Sequence, residues 1–220
     1  MSALAIFEKE QRAAINQMHM QNGVRLVDPE QTYIDAEVTI EAGAVIYPGN
    51  VIEGHSHIAA EALLLPGNYI ENCQVGAGTR VGPYAHLRPG TVLGAHCRVG
   101  NYVELKNVQV DDGAKIPHLS YCGDGHIGAR SNISCGSIFS NYDGVNKSRT
   151  EVGQDVFVGC NSNLIAPVTI GDGAYIAAGS TITEDVPGGA LGIARSRQAV
   201  KPGWALNKSP IAKARNPNSQ

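Results

Sequence analysis

The sequence predicts an all-β solenoid, a parallel β-helix of six-residue repeats, with a helix before it and a tail after it. Large aliphatic residues recur every six positions, and many of them are followed directly by glycine. Glycine is abundant, at 26 residues, whereas aromatic residues make up only 5% of the chain. A period of six fits neither the 3.6-residue helix nor the two-residue alternation of a long strand. It fits a short strand plus a turn, which together form one flat side of a coil.

The repeat keeps its phase through most of the chain, with a few short steps between runs. One such side cannot bury its aliphatic residue alone, so we expect these residues to point inward and stack from coil to coil. The predicted inward residues are Ile40, Ile46, Ile52, Ile58, Leu64, Ile70, Val75, Val81, Leu87, Leu93, Val99, Leu105, Val110, Ile116, Cys122, Ile127, Ile133, Phe139, Val152, Val158, Leu164, Ile170, Ile176 and Ile182.

One interruption of the repeat is longer than the others. The interval from Phe139 to Val152 exceeds two full repeats, and the intervening segment is polar and rich in turn-forming residues. We therefore predict that residues 140–151 form a loop that leaves the coil, which we call the excursion loop. Binding and catalytic residues concentrate in loops that a rigid scaffold positions.

The ends of the chain differ from the repeat. Residues 1–27 are predicted as a helix and linker, with the helix from about Ala3 to Met20 and a stop at Asn22 and Gly23. The helix carries a loose apolar stripe, and it is expected to pack as a cap on one end of the β-helix of residues 28–185. Residues 186–220 form a basic tail without Asp or Glu, either solvated or in contact with phosphates. The stripe comprises Leu4, Phe7, Ala14 and Met18, and the cations of the tail are Arg195, Arg197, Lys201, Lys208, Lys213 and Arg215.

Composition excludes several classes of function. The net charge of −3 gives no general reason to expect a nucleic-acid partner. No apolar run approaches the ~18 residues of a membrane span, and the first residues lack the features of a signal peptide. The five cysteines form no Cys-x-x-Cys pair, which is typical of reduced thiols in a cytoplasmic protein.

A set of ordered motifs is far more specific than the repeat. The motifs are Leu-Arg-Pro-Gly at 87–90, Val-Gly-Asn-Tyr-Val-Glu-Leu-Lys at 99–106, His-Leu-Ser-Tyr at 118–121, Gly-Asp at 123–124, Asn-Tyr-Asp-Gly at 141–144 and Lys-Pro-Gly-Trp at 201–204. Together they resemble the C-terminal acetyltransferase domain of the bacterial family of bifunctional N-acetylglucosamine-1-phosphate uridylyltransferases/glucosamine-1-phosphate N-acetyltransferases. The resemblance extends over nearly the whole chain, but the glycine-rich phosphate loop of the family's uridylyltransferase domain is missing. Uridylyl transfer is therefore not expected.

The resemblance implies more than the pattern itself. It implies a left-handed, triangular β-helix that forms a homotrimer, with sites shared between adjacent chains. It implies transfer of an acetyl group from acetyl-CoA, as co-substrate, to glucosamine 1-phosphate or a related amino-sugar phosphate. No metal is required by that transfer. A separate uridylyltransferase is a further partner that the resemblance suggests.

The chemistry of acetyl transfer determines which residue types the site needs. An amino-sugar ammonium must lose a proton before it attacks a thioester, and a histidine base suits this step. Phosphates favour Lys and Arg as ligands. His118 matches the family's general base, and it lies shortly after the inward Ile116. The matches to the family's sugar-phosphate site are Arg88, Lys106, Tyr121 and Asn132.

The acetyl-CoA site is predicted by resemblance alone. The matching positions are Cys135, Asn141, Tyr142, Cys160, Ala178 and Arg195. Cys135 and Cys160 depart from the small residues that are common in the family, and each is predicted as a packed small side chain rather than a nucleophile. Lys147 is a weaker candidate for phosphate binding. Glu104 has three open interpretations: it orients His118, pairs with a cation, or lies at a turn.

Three alternatives remain open from the residues. Trimeric γ-class carbonic anhydrases hold zinc with three His on a β-helix, but their His spacing is not found around His118, His126, His55 or His57. A second alternative is a solenoid that binds a sugar nucleotide or a protein partner without turnover. A third keeps the chemistry and changes the acceptor to another amino sugar or sugar nucleotide.

Overall fold

The structure is a computed structural model that describes residues 3–205 of the 220-residue chain. Within this range an α-helix, Ala3–Gln21, and a short 3₁₀ helix, Pro29–Gln31, accompany twenty-five strands. Every pairing between these strands is parallel. This architecture confirms the predicted parallel β-solenoid, with about nine turns.

The strands stack into three columns, which we call faces A, B and C in the order in which the chain visits them. Ten strands form face A and are hydrogen-bonded from one coil to the next. These are Arg25–Leu26, Val45–Ile46, Leu63–Leu64, Arg80–Val81, Arg98–Asn101, Lys115–His118, Asn132–Ile133, Phe157–Val158, Tyr175–Ile176 and Leu191–Gly192.

Faces B and C join into one sheet, because two long strands run across both of them. The joining strands are Glu104–Val110 and Tyr121–Ile127. The other strands of face B are Tyr33–Ile34, Val51–Glu53, Tyr69–Glu71, His86–Arg88, Ile138–Ser140, Asn163–Ile165 and Thr181–Ile182; those of face C are Thr39–Ile40, His57–Ile58, Gln74–Val75, Val92–Leu93, Thr150–Val152 and Val168–Ile170.

The core contains every inward residue that the repeat predicts, together with further small and aliphatic residues. All of them are buried, from Ile40 at 9% exposure to fully enclosed side chains such as Ile46 and Phe139. Each inward residue packs on its counterpart one coil away, for example Leu87 on Leu105 and Leu105 on Cys122. The predicted register is therefore confirmed over the whole solenoid.

The strands extend beyond the predicted bounds of residues 28–185. Arg25 and Leu26 pair with Val45 and Ile46, and Leu191 pairs with Tyr175. The last cations of the predicted basic tail, Lys208, Lys213 and Arg215, lie outside the described residues. No helix in the described part of the chain is long and apolar enough to cross a membrane.

The N-terminal helix packs on the solenoid through a different stripe from the predicted one. The predicted apolar stripe is wrong, because Leu4, Phe7, Ala14 and Met18 are all exposed. The helix instead buries Asn16 and His19, with Ile15 partly buried. Asn16 Nδ2 donates to the carbonyl oxygens of Pro29 and Thr32, at 2.7 and 2.9 Å. Polar residues thus make the contact that an apolar periodicity cannot reveal.

His19 should make the docking of this helix sensitive to acid. The imidazole is 2% exposed, and neither ring nitrogen has a hydrogen-bond partner among the described residues. Burial lowers the pKa of His19 below its ordinary value of 6.5. A depressed histidine pKa means that the stabilisation is complete above pH 6.5 and is lost as the pH falls below it.

We expect His19→Leu to reduce the loss of stability between pH 7.5 and pH 5. The measurement is urea-induced unfolding at both pH values, with His55→Gln, at an exposed histidine, as the control. Equal pH dependence in His19→Leu and in the unaltered chain would contradict this account of the helix contact.

Candidate active site

His118 lies at the end of its face A strand, where the chain turns toward face B. We call this corner the A/B edge. His118 is exposed, and it stands directly above Asn101 in the parallel register. Its Nδ1 lies 2.7 Å from Asn101 Oδ1. Because that oxygen only accepts hydrogen bonds, this contact places the proton on Nδ1 and leaves the Nε2 lone pair free.

Three further predicted residues stack above His118 on the same edge. Lys115 pairs with Asn132, and the same offset along the strands aligns His118 with Cys135. The next coil contains the excursion loop, so its offset is larger. Asn161 N donates to Cys135 O at 2.9 Å, which aligns Cys135 with Cys160. Gly179 N donates to Cys160 O at 2.8 Å, which places Ala178 next in the column.

Arg195 lies beside the far end of this column, because the register pairs Ile176 with Gly192 and so aligns Arg195 with Gly179, the neighbour of Ala178. A Cβ built on Gly179, the neighbour of Ala178, would lie 3.8 Å from Arg195 Cδ. Adjacent coils are separated by about 4.8 Å, so four steps from His118 to the level of Arg195 span roughly 19 Å. We call this row of His118, Cys135, Cys160, Ala178 and Arg195 the edge column. It forms an elongated track with the His118 imidazole at one end and a cation at the other.

Cations occupy the far end of face B, next to the corner where the chain turns toward face C. Arg88 and Lys106 are register neighbours on successive coils. Arg88 Nη1 donates to Glu104 Oε1 at 2.8 Å, and both side chains are about two-fifths exposed, at 39%. Among the open interpretations of Glu104, the structure favours the cation partner, because no contact joins its carboxylate to His118 in the described residues.

Asp124 is the buried acid that organises the other side of face B. It is 8% exposed, and its two oxygens accept hydrogen bonds from different amides. Asn107 Nδ2 donates to Oδ1 at 2.7 Å and Asn141 Nδ2 donates to Oδ2 at 2.5 Å, while Lys106 Nζ lies 3.8 Å from Oδ2. Burial alone would raise the pKa of Asp124. The two amide donors, with Lys106 and Lys147, outweigh burial and hold this pKa below its ordinary value.

Lys106 shares its surroundings with a cation from the excursion loop. The neighbouring ammonium group of Lys147 lowers the pKa of Lys106, burial lowers it further, and Asp124 opposes both effects. Arg88, Lys106 and Lys147 thus supply three cations, against the two carboxylates of Glu104 and Asp124. The excess positive charge suits an anionic group of a ligand, such as a phosphate.

Tyr121 lies against the same cluster. A Cβ on Gly123 would collide with the Tyr121 hydroxyl and would lie 3.0 Å from Asn141 Nδ2. Gly123 thus leaves space for the side chains of Tyr121 and Asn141, two predicted binding residues, to approach each other. Asn132, by contrast, belongs to face A, where its Nδ2 donates to Ser134 Oγ at 2.9 Å. The structure therefore brings Arg88, Lys106 and Tyr121 together on face B and leaves Asn132 on the other side of the A/B edge.

The excursion loop begins at the opposite corner, where face B turns into face C. We call this corner the B/C edge. Asn141 is buried there with its amide on Asp124, whereas Tyr142 is 57% exposed. Tyr142 and Lys147 form an antiparallel bridge, and Asp143 Oδ1 accepts from the backbone amides of Val145 and Asn146 at 2.7 and 2.6 Å. The loop is thus a closed, hydrogen-bonded hairpin.

Sequence reasoning missed three residues that support the site. Asn101 fixes the imidazole, and Asp124 with Asn107 connects the cation cluster to the loop. Asn101 and Asp124 fall within the quoted motifs, so a signal was present, but only the register shows which side chains they face. Among residues 3–205, no group of three His, Cys, Asp or Glu side chains is placed to hold a metal ion.

The chain is similar in sequence to known hexapeptide-repeat proteins. The model of the bacterial transferase hexapeptide family (six repeats) matches residues 72–107 and 149–184. The bifunctional protein GlmU of Listeria monocytogenes is 49% identical over 94% of the chain, and that of Thermoanaerobacter pseudethanolicus is also 49% identical over 94%. In both cases the match covers 49% of the relative. The chain spans about half the length of these curated relatives.

A solved structure shows a more distant likeness. The UDP-N-acetylglucosamine acyltransferase of Francisella novicida aligns with a TM-score of 0.47 and 17% identity, covering 74% of this chain and 65% of that one. The family match shows hexapeptide repeats of the bacterial transferase type in two segments of the chain. Over 94% of its length the chain is homologous to the acetyltransferase-like part of the bifunctional protein GlmU.

Asp124→Asn should destabilise the chain by about 1–3 kcal/mol, because one carboxylate oxygen becomes an amide donor that faces another donor. The free energy of unfolding in urea at pH 7 measures the effect. Asp155→Asn is the matched control, since it removes a carboxylate from a solvent-exposed ion pair with Arg130 and should cost clearly less than Asp124→Asn. Equal losses in the two variants would contradict a central role for Asp124.

Proposed function

We propose that the chain transfers an acetyl group from acetyl-CoA to the amine of glucosamine 1-phosphate or a closely related amino-sugar phosphate. The observation that carries this proposal is the edge column, in which a histidine with a free Nε2 stands at one end of a track that leads to Arg195. A base alone would suit many reactions. A base together with three cations, which the shared site proposed below would bring near each other, suits an acceptor that carries both an ammonium and a phosphate.

His118 acts as the general base in this proposal. Nε2 takes a proton from the ammonium of the sugar, while Asn101 keeps the other ring nitrogen protonated and the ring oriented. The amine then attacks the thioester carbonyl carbon, and the C–S bond breaks to release CoA as its thiolate. As the tetrahedral intermediate collapses, the imidazolium returns its proton to that thiolate and the nitrogen loses its second proton to solvent. The cycle thus yields the neutral amide, CoA as its thiol and one released proton.

Acetyl-CoA would lie along the edge column. The thioester would be near His118, the arm of the cofactor would pass Cys135, Cys160 and Ala178, and a phosphate would meet Arg195. A half-buried side chain at Cys135 and exposed ones at Cys160 and Ala178 leave a narrow, accessible strip on the surface for such an arm.

The phosphate of the acceptor would be held on face B. Arg88 and Lys106 lie side by side there, and Lys147 approaches from the excursion loop. Each of the first two already pairs with a carboxylate, so both side chains are held in position before the phosphate arrives. Tyr121 adds a hydroxyl group at the same place.

We further propose that the chain works as a homotrimer with sites shared between adjacent chains. The predicted acetyl-CoA residues fall on two separate edges of face B, since Asn141 and Tyr142 follow the B/C edge and the edge column follows the A/B edge. Within one chain, one side of the coil lies between the two groups. This side has about six residues, which span about 20 Å when fully extended. A neighbouring chain would bring its excursion loop to this edge column. The exposed, stacked rings of Tyr84 and Tyr102 beside Asn101 offer an apolar surface for that contact.

His118→Ala should lower the rate of acetyl transfer by about 10²–10⁴-fold, because the amine loses its base. The assay is thiol release from acetyl-CoA over a panel of amino-sugar phosphates. His96→Asn is the control, since it alters an exposed histidine in a left-handed turn that Asn tolerates. Near-normal turnover by folded His118→Ala would refute the assignment, and no turnover by the unaltered chain on any acceptor would refute the proposed function.

Mixing two weakly active variants tests whether the site is shared between chains. His118→Ala and Tyr142→Ala should each be weakly active alone, whereas chains unfolded and refolded together should regain activity. About one site in four would then combine an intact edge column with an intact excursion loop. If the co-refolded mixture were no more active than the separately refolded variants, sites shared between chains would be excluded.

A further inference from the structure

The five cysteines fall into two groups with different access to solvent. Cys73, Cys97 and Cys122 are buried in the solenoid, with exposures of 1%, 2% and 0%. Cys73 and Cys97 also donate from Sγ to backbone carbonyl oxygens of Arg88 and Asp111, at 3.2 and 3.1 Å. Cys135 is half-buried and Cys160 is exposed. Oxidants and alkylating reagents in solution can therefore reach only this second group within the described residues.

The two accessible thiols are neighbours in space, although the whole excursion loop lies between them in the sequence. The register pairs Asn132 with Phe157 and Ile133 with Val158, and the same offset aligns Cys135 with Cys160. The hydrogen bond from Asn161 N to Cys135 O shows that this alignment persists at the cysteines. Neighbouring parallel strands place aligned Cα atoms about 4.8 Å apart, within the range of roughly 4.4–6.8 Å that disulfides span.

We propose that Cys135 and Cys160 form an accessible dithiol that reacts with low-molecular-weight disulfides and closes to an intramolecular disulfide. The buried cysteines do not compete. Burial raises the pKa of Cys73 to about 11 and also raises the pKa values of Cys97 and Cys122, which keeps all three as unreactive thiols at neutral pH.

The reaction consists of two thiol–disulfide exchanges. The exposed thiolate of Cys160 attacks one sulfur of glutathione disulfide, whose S–S bond breaks and releases one glutathione. The thiolate of Cys135 then attacks the Cys160 sulfur and displaces the second glutathione. Two protein thiols are oxidised, one glutathione disulfide is reduced to two thiols, and the two protein thiol protons pass to the released glutathione.

The position of the dithiol gives it a consequence that rests on the proposed function. Cys135 and Cys160 are the second and third members of the edge column, between His118 and Arg195. A disulfide there would lie across the proposed path of acetyl-CoA, and its reduction would reopen that path. Thiol oxidation would thus regulate access of the acetyl donor.

The test is incubation of the reduced chain with glutathione disulfide, followed by intact mass and peptide mapping under non-reducing conditions. The unaltered chain should lose two hydrogens, release two glutathiones per chain and yield a cross-linked peptide pair that contains Cys135 and Cys160. Cys135→Ser should instead retain one glutathione on Cys160. These readouts concern thiol chemistry, so they succeed or fail independently of acetyl transfer.

The edge column also supplies a matched control for distance. In Cys160→Ser/Ala178→Cys the two thiols are two coils apart, about 9.6 Å, and should each keep a glutathione. In the double variant Cys135→Ser/Ala178→Cys, the thiols at positions 160 and 178 are one coil apart and should form a disulfide. Thermal melting of each variant verifies its fold. Two separate adducts on the unaltered chain, a disulfide that includes Cys73, Cys97 or Cys122, or no reaction at all would overturn the proposal.

Discussion

The parallel, in-register stacking of short strands is the constraint on which the rest of this structure depends. Each coil must place an aliphatic side chain over that of the coil below, and this requirement fixes the alignment of every outward residue as well. Arg80 thereby pairs with Arg98, and Asn132 with Phe157, although the two pairs are unequally separated along the chain. Residues that are far apart in the sequence, such as His118 and Ala178, thus belong to one column.

Electrostatics on face B depends on the same stacking. Arg88 and Lys106 are adjacent because their strands pair, and two like charges at this spacing repel each other. Glu104 and Asp124 offset this repulsion from either side, and two amides stabilise the ionised form of Asp124. The cations are thus held in place while a net positive charge remains. The buried contact of Asn141 with Asp124 ties the excursion loop to this arrangement.

The fold was largely predictable, and parts of the site were not. A six-residue period is a local property, so each inward residue could be identified without knowledge of its neighbours. The helix contact was mispredicted because Asn16 and His19, which are polar, make it. Asn101 falls within a motif, but its role could not be predicted because it exists only through the imidazole one coil away. The separation of Asn132 from Tyr121 likewise depends on which face each residue occupies.

The sequence by itself determined the repeat, its register, the excursion loop and the residue types that the chemistry needs. Only the tertiary structure decided which of those residues meet. Glu104 pairs with Arg88 rather than His118, and the predicted acetyl-CoA positions divide between two edges of face B. The physical reason is that the inward pattern is set by burial, residue by residue, whereas outward contacts are set by the offset between coils. That offset follows from the lengths of all the turns and of the excursion loop together.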